Sequence, residues 1–213
     1  MEERNQEPNV IDQTPNQKAP KEKTSFLYDI YSLLHDLVYI LAAITLIFVF
    51  CVRLVGVNGE SMLPTLKHAD YLALQSNLIM GELEYGDIVV AKKMAFRGGE
   101  PVVKRVIATE GQQVSIRRDD DGVIRTYVDG QMLQEDYINE EMNELYALPI
   151  EVTVMEDHIF VMGDNRNDSC DSRSAELGQI HEDEVLGKVL MILLPGKDEI
   201  TDKRDFSRIG GVN

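Results

Sequence analysis

The chain has 213 residues and a formal net charge of −16, and hydrophobic residues make up 44% of it. This length and composition are enough for one domain with a hydrophobic core. The strongly acidic charge lacks the clustered lysines and arginines that bind phosphate groups, so we expect no nucleic-acid partner and no electrostatic binding to anionic lipids.

Two cysteines lie in very different parts of the sequence, Cys51 in an apolar segment and Cys170 in a polar one. We expect no disulfide between them, so the cysteines do not indicate whether the protein lies in an oxidising or a reducing compartment. Cys170 has no evident base beside it, so it is interpreted as a small residue rather than a nucleophile.

Residues 1–35 are predicted to be a disordered tail that leads to a membrane. The segment up to about Thr24 is rich in Glu, Gln, Asn, Pro and Lys, a composition that buries little apolar surface. From Leu37 to Val52 the chain is almost purely apolar, and Leu54–Val57 continue this stretch after Arg53. A membrane-spanning helix needs about 20 such residues. We therefore predict a transmembrane helix over 36–56, with Arg53 near the interface. A buried core helix is the alternative interpretation.

The distribution of basic residues around this segment predicts its orientation. Three lysines precede it, at positions 18, 21 and 23, whereas mainly Arg53 and Lys67 follow it. Cytoplasmic flanks carry the excess of positive charge. We expect a single-pass protein of the plasma membrane with a cytoplasmic N-terminus and an extracytoplasmic domain.

Residues 57–196 are predicted to form one mainly β domain, in which short apolar runs alternate with glycines. The only helical signal is a turn or two near Ile180–Leu186. A polar and acidic stretch, 134–144, is predicted to be a solvated excursion, and 197–213 a C-terminal tail. The predicted strands are Tyr71–Gln75, Asp87–Lys92, Val102–Ala108, Gln113–Arg117, Ile124–Val128, His158–Met162 and Lys188–Leu194.

A candidate nucleophile, Ser61, follows the apolar segment closely. Gly59 permits backbone conformations that bring amide groups close to a ligand, and Pro64 stiffens the turn after the serine. Such a segment can present a hydroxyl and a backbone N–H to one carbonyl group. An ordinary Ser-x-x-Pro turn has the same pattern, so this segment alone leaves both interpretations open.

A serine nucleophile needs a base, and Lys104 is the best-placed candidate. Apolar residues flank it on both strand faces, and the burial that they predict lowers the pKa of a lysine. A lysine with a pKa of about 7–8 is neutral often enough to accept a proton. A solvated pair with Arg105 on an edge strand is the alternative. No histidine has a recognisable triad context, and His158 is the least implausible competing base.

A third segment, 163–173, is dense in polar groups that can hydrogen-bond one another and fix the shape of a loop. Within it, Ser169 can supply a hydroxyl that orients the lysine amine. A calcium-binding loop is an alternative, but its central glycine and terminal glutamate are absent, so no metal is expected. The charged and amide residues of this segment are Asp164, Asn165, Arg166, Asp168, Asp171 and Arg173.

Taken together and in order, these segments resemble those of bacterial type I signal peptidases, the membrane-anchored endopeptidases that remove signal peptides from exported proteins. The resemblance covers about residues 57–194 and the anchor before them, and this chain is similar in size to the shorter members. It implies a β-rich catalytic core. The shared motifs are Gly59-x-Ser61-Met62-x-Pro64-Thr65-Leu66, Gly86-Asp87-Ile88-Val89, Lys104-Arg105-Val106 and Gly163-Asp164-Asn165-Arg166-x-x-Ser169-x-Asp171-Ser172-Arg173.

The resemblance also implies roles for individual residues. Ser61 is similar to the nucleophile of the family, Lys104 to its general base and Ser169 to the serine that hydrogen-bonds the lysine. Some members carry a serine two positions before the nucleophile that helps to bind the oxyanion. Here that position is Gly59, so we expect the backbone N–H groups of Ser61 and Gly59 to do so. The expected loop-supporting residues are Asp164, Asn165, Arg166, Asp171 and Arg173.

The expected substrates are preproteins with small residues at positions −1 and −3 before the cleaved bond. We expect them to bind as an extended strand, with pockets lined by Val57 and Val103. We expect a monomer that needs no metal or organic cofactor. Two alternatives remain: another processing protease with a Ser/Lys dyad, and a membrane-anchored binding module with the same fold but no catalysis.

Overall fold

The computed structural model describes residues 26–143, 149–198 and 201–212 of the chain. One α helix, α1 (Phe26–Phe50), precedes twelve short strands in these residues. The strands are β1 (Val52–Gly56), β2 (Tyr71–Ser76), β3 (Ile88–Ala91), β4 (Val102–Thr109), β5 (Gln113–Arg118), β6 (Ile124–Val128), β7 (Gln131–Met132), β8 (Ile150–Thr153), β9 (His158–Met162), β10 (Ile180–His181), β11 (Val185–Leu194) and β12 (Gly210–Gly211).

Helix α1 has the length and composition of a membrane anchor. Its residues Phe26–Ile47 have a mean hydropathy of 1.9, and none of the side chains in this stretch is buried. A helix of 25 residues is about 38 Å long, which exceeds the roughly 30 Å of a bilayer's hydrocarbon core. One N-terminal apolar helix of this kind is consistent with a single-pass anchor.

The helix is displaced toward the N-terminus relative to the prediction. It begins at Phe26 rather than at residue 36, and Asp29 lies in its first turn, where a carboxylate is favourable beside the positive end of the helix dipole. The predicted end at residue 56 is wrong, because residues 52–56 form β1. This segment is rich in valine, which favours strands, and it pairs with β2 in antiparallel register from Val52↔Gln75 to Gly56↔Tyr71.

The larger sheet has eight strands, in the order β1-β2-β11-β3-β4-β9-β10, with β12 paired to β11 beside this path. All of its pairings are antiparallel. Strand β3 is completely buried, and its successive side chains alternate between two hydrophobic clusters. Met62 and Leu66 belong to the first of these clusters, and Phe96 to the second. The segment that follows Ser61 is therefore fixed in the hydrophobic core.

A smaller sheet has four strands, in the order β7-β6-β5-β8, all antiparallel. Its inner face packs against side chains that β4 and β9 of the larger sheet contribute, among them Ile107 and Phe160. Strand β4 thus lies in the larger sheet and also contacts the smaller one. This places Lys104, near the start of β4, in the middle of the β-rich unit.

The helical turn predicted near Ile180–Leu186 is a single 3₁₀ turn, Glu182–Glu184, between two strands. The His181 side chain accepts from the Asp183 N–H at 3.1 Å, and the Glu184 carboxylate accepts from the His181 N–H at 3.2 Å. These reciprocal bonds give both backbone N–H groups at the start of the turn a hydrogen-bond acceptor. Val185 then continues in an extended conformation as the first residue of β11.

The C-terminal residues form part of the β-rich unit instead of a separate tail. A 3₁₀ turn at Phe206–Arg208 leads into β12, which pairs with β11. Arg208 forms an ion pair with the fully buried Asp70, with 2.7 Å between Nη2 and Oδ2. The predicted C-terminal tail, 197–213, thus contacts the β-rich unit through this ion pair, which joins residues 138 positions apart.

Candidate active site

Ser61 lies in a tight turn whose position is fixed by its neighbours. The preceding Gly59 has a φ of +101°, a left-handed conformation that residues with a Cβ rarely adopt. The Leu66 N–H donates to the Met62 carbonyl at 2.8 Å, and both of these side chains are almost fully buried. Ser61 itself is half-buried, so its hydroxyl is held in place and remains accessible.

Lys104 projects from β4 toward this serine. Its Nζ lies 2.7 Å from Ser61 Oγ and 2.9 Å from the Val103 carbonyl oxygen. Only 4% of the lysine is exposed, as its apolar flanks predict. Burial lowers the pKa of Lys104 to about 8, and the negative charge of Asp171 partly opposes this shift. A neutral amine in this position can donate to the Val103 carbonyl and accept the Ser61 proton.

The loop after β9 holds the backbone on both sides of the serine hydroxyl. The Asn165 N–H donates to the Ser61 carbonyl at 3.1 Å, and its side-chain amide donates to the Glu60 carbonyl at 3.2 Å. The Thr65 hydroxyl donates to Asp164 Oδ2 at 2.5 Å. Asn165 and Asp164, both predicted to support the loop, therefore contact the turn that carries Ser61.

Gly163 sits where this loop approaches the serine most closely. Its N–H donates to Asp171 Oδ2 at 3.0 Å. A Cβ at this position would collide with the carbonyl oxygen of Ser61 and with the hydroxyl and Cβ of Ser169. The close approach of the two segments therefore requires a glycine here.

Three bidentate ion pairs are buried around the loop. Arg105 binds Asp164 at 2.7 and 2.8 Å, whereas the neighbouring Lys104 contacts Ser61. Burial alone would raise the pKa of the Asp171 carboxyl, but the hydrogen bonds and charge of Arg173 outweigh burial and lower that pKa. Such pairs compensate charges that would otherwise be costly inside a protein. The three pairs are Arg105–Asp164, Arg166–Glu135 and Arg173–Asp171.

The stretch predicted to be a solvated excursion, 134–144, is partly buried against this loop. Glu135 binds Arg166 at 2.7 and 2.8 Å, and the Tyr137 ring lies 4.1 Å from the Arg105 guanidinium carbon. The sequence does not reveal this pairing, because Glu135 and Arg166 are 31 positions apart and neither lies in a local motif with the other. Residue 144 lies outside the described residues.

The backbone donors near Ser61 differ from those expected. The Gly59 N–H donates to Nδ1 of His68 at 3.3 Å, so it is already engaged. Nothing in the described part of the chain accepts a hydrogen bond from the Ser61 N–H. Of the two expected oxyanion donors, the Ser61 N–H is the one that remains available to a bound carbonyl oxygen.

Ser169 is buried beside the site, but it does not form the expected hydrogen bond to Lys104. Its side chain packs against Gly163, and its hydroxyl has no hydrogen-bond partner among the described residues. It faces the Asp171 carboxylate and helps to lower the pKa of that group, although their geometry falls outside that of a hydrogen bond. The lysine amine donates to the carbonyl of its own strand instead.

A cavity of about 540 Å³ opens next to Ser61, between the end of β1 and the start of β4. Val57 and Val103, the predicted pocket residues, both line it. The connection between β3 and β4 adds Phe96 and Arg97 to the wall, and sequence reasoning missed both because this connection carries no recognisable motif.

His158, both cysteines and the candidate metal ligands are the other candidate functional groups in the sequence. His158, the alternative base, packs against the ring of His181 at 4.9 Å and bonds the Glu156 carbonyl through Nδ1. Both cysteines are free. Across residues 26–143, 149–198 and 201–212, no cluster of three or more His, Cys, Asp or Glu side chains is placed to hold a metal ion.

The chain is similar in sequence to known proteins over most of the residues described above. The family described as signal peptidase, peptidase S26, matches residues 30–194. A probable signal peptidase I-1 of Synechocystis sp. is 36% identical over 65% of this chain and 69% of its own length. Signal peptidase I T of Bacillus subtilis is 33% identical over 65% of this chain and 72% of its own. A crystal structure of a signal peptidase I from Enterococcus faecalis covers 51% of this chain and 97% of its own, at 31% identity and a TM-score of 0.42.

Proposed function

Because the chain belongs to the signal peptidase family, peptidase S26, we propose that it removes signal peptides from exported proteins with Ser61 as nucleophile and Lys104 as general base. The observation that carries these two assignments is the 2.7 Å contact between Ser61 Oγ and the buried Lys104 Nζ at the edge of a cavity. Burial supplies the lowered pKa that a lysine needs to act as a base near neutral pH.

The proposed reaction proceeds in two steps. Neutral Lys104 accepts the proton of Ser61 Oγ, which attacks the carbonyl carbon of the scissile peptide bond, and the Ser61 N–H stabilises the oxyanion. The lysine then gives its proton to the leaving amine, and an acyl-enzyme remains. In the second step Lys104 takes a proton from water, whose oxygen attacks the ester, and then returns that proton to Ser61 Oγ.

The substrates of this reaction are preproteins that carry signal peptides, which we propose to bind in an extended conformation along the cavity. Strand β1 is the edge strand of the larger sheet, so its outer backbone groups are available to a peptide. Val57 and Val103 limit the space beside Ser61. This restriction supports small side chains at positions −1 and −3.

We propose that α1 anchors the protein in the plasma membrane, with the N-terminus in the cytoplasm and the catalytic domain outside. The excess of lysines before the apolar segment supports this orientation. The catalytic domain spans 57–196 in this proposal, and the contacts of the C-terminal residues with Asp70 and β11 extend it to Val212. A monomer suffices for catalysis, because one chain supplies Ser61, Lys104 and the cavity.

Cleavage of a detergent-solubilised preprotein with an Ala-x-Ala site by the full chain tests the proposal. The wild-type protein should release the signal peptide at that site, as the mass of the product shows, and Ser61→Ala should not. The exposed Ser207 provides a matched control, and Ser207→Ala should cleave normally. Equal cleavage by Ser61→Ala, or no cleavage by a folded wild-type protein, would contradict the proposal, and the latter would favour the inactive binding module.

Gly163→Ala is expected to lower kcat/KM by roughly 10- to 100-fold, because the added methyl group pushes the Ser61 carbonyl away from the loop. The measurement is the cleavage rate of the same preprotein. Gly81→Ala is a matched control, since Gly81, like Gly163, has no left-handed φ, but an added Cβ there meets nothing within 4 Å. If both variants were equally active, the close approach at Gly163 would have no catalytic importance.

A further inference from the structure

One cationic side chain on the cavity wall, Arg97, takes no part in the proposed reaction. It lies in the connection between β3 and β4 and lines the same cavity as Ser61 and Val103. Its guanidinium lies 5.0 Å from the centre of the Phe96 ring, and Phe96 is 99% buried. The arginine is thus exposed to the cavity but rests on a fixed aromatic ring.

The backbone around Arg97 has an unusual conformation. Arg97, Gly98 and Gly99 have φ values of +44°, +69° and +83°, three left-handed residues in succession. Glycine adopts this region easily, but arginine does so only at a cost, which a surrounding structure must offset. The Gly99 N–H donates to the Phe96 carbonyl at 2.8 Å and closes the turn. The turn therefore fixes the position of the Arg97 backbone beside the cavity.

Arg97 is the one arginine or lysine among the described residues that line the cavity. Within the described parts of the chain, its guanidinium forms no ion pair and no hydrogen bond. It acts on the catalytic centre from a distance, because after burial it is among the charges that lower the pKa of Lys104. Three carboxylate residues, Glu60, Glu100 and Asp168, also line the cavity.

We propose that Arg97 is a specificity-determining residue that favours an acidic side chain, and disfavours a basic one, at position −2 or +1 of the preprotein. This inference rests on the proposed function. In an extended peptide, alternate side chains share a face, so −2 and +1 both point away from the face of −1 and −3. The small-residue pockets therefore leave these two positions free to meet the unpaired cation. A carboxylate at either one forms a charge-assisted hydrogen bond with the guanidinium.

The test uses preproteins that differ only at −2 or at +1, where each carries aspartate, alanine or lysine. The full chain in detergent should cleave the aspartate form roughly tenfold faster than the lysine form, in kcat/KM, at one of the two positions. Raising the salt concentration should reduce this ratio, because salt screens charges that are exposed to solvent. Arg97→Gln should bring the ratio close to one, Arg97→Lys should preserve most of it, and Arg97→Glu should invert it.

Arg117 provides a matched control, because its guanidinium also lies over an aromatic ring, 4.1 Å from the centre of Tyr127, but outside the cavity. Arg117→Gln should keep the wild-type ratio. An equal rate for all charged forms, a preference for lysine, or a ratio that Arg97→Gln leaves unchanged would overturn the inference. Failure of the wild-type protein to cleave even the alanine form would contradict the proposed function instead. The ratio does not depend on the amount of folded enzyme, so a partial folding defect does not affect it.

Discussion

Lys104→Met is expected to lower the rate of preprotein cleavage at least about 10³-fold while the protein stays folded. Methionine fills a similar volume but cannot accept a proton from Ser61. In the wild type, Lys104 Nζ lies 2.7 Å from Ser61 Oγ. The measurement is kcat/KM for the full chain in detergent. Lys92→Met is the matched control, because Lys92 is exposed and should be dispensable. Appreciable cleavage by Lys104→Met would mean that another group, such as His158, is the base.

The pH dependence of cleavage by the wild-type protein provides a second test of Lys104 as the general base. A base must be neutral to accept a proton, and the pKa of Lys104 is lowered to about 8. Below pH 8, kcat/KM should therefore fall about tenfold for each pH unit, and above pH 8 it should reach a plateau. A flat profile between pH 6 and 8 would be incompatible with this lysine as the base.

Lys104→Met is expected to leave the protein at least as stable as the wild type at pH 7. The folded-state pKa of about 8 is lower than the ordinary value of 10.5, so the unfolded chain binds the lysine proton more tightly. This penalty on folding is fully present below pH 8 and disappears as the pH rises toward 10.5. Methionine carries no such penalty. Thermal unfolding should show a much larger stability difference between variant and wild type at pH 7 than at pH 10.

Asp164→Ala is expected to reduce the free energy of unfolding by about 3–5 kcal/mol, because it leaves the Arg105 guanidinium buried without its carboxylate. Asp164 is fully buried, and Arg105 is 97% buried. The Thr65 hydroxyl also loses its acceptor, so the turn that carries Ser61 loses one of its supports. Chemical denaturation measures the change in stability, and the cleavage assay measures the accompanying loss of activity.

A double variant separates loss of the ion pair from general damage to the core. Arg105→Leu combined with Asp164→Ala removes both charges and should recover part of the stability that Asp164→Ala loses. Asp121→Ala is the matched control, since Asp121 pairs with Arg125 at the surface, where ion pairs contribute little. A loss in Asp164→Ala no larger than in Asp121→Ala would show that the buried pair does not hold this loop.

The surroundings of Ser61 and Lys104 could be predicted from the sequence because they depend on residues close by in the chain. Apolar flanks predict the burial of Lys104, and burial predicts its lowered pKa. Most strands could be predicted for the same reason, since alternation of apolar residues is a local property. The end of the anchor could not, because the apolar run continues into β1, and only pairing with β2 distinguishes a strand from further helix.

The parts that escape prediction depend on contacts between distant residues. Glu135 pairs with Arg166 and Arg208 with Asp70, yet Glu135 and Arg208 lie in stretches that have the composition of a solvated surface. Arg97 is similar, since its place on the cavity wall follows from the shape of the turn between β3 and β4. Ser169 shows the opposite case, in which a matching motif predicts a hydrogen bond that the geometry does not form.

The short connection between α1 and β1 has a consequence for which preproteins can be processed. Helix α1 ends at Phe50, and Val57 already lines the cavity. Even a fully extended chain over these residues reaches no more than about 25 Å. A preprotein held in the same bilayer by its own apolar segment must therefore present its cleavable bond within that distance of the end of α1. We therefore expect the length of the stretch between the apolar segment and the scissile bond to affect the cleavage rate, in addition to the side chains proposed at −1 and −3.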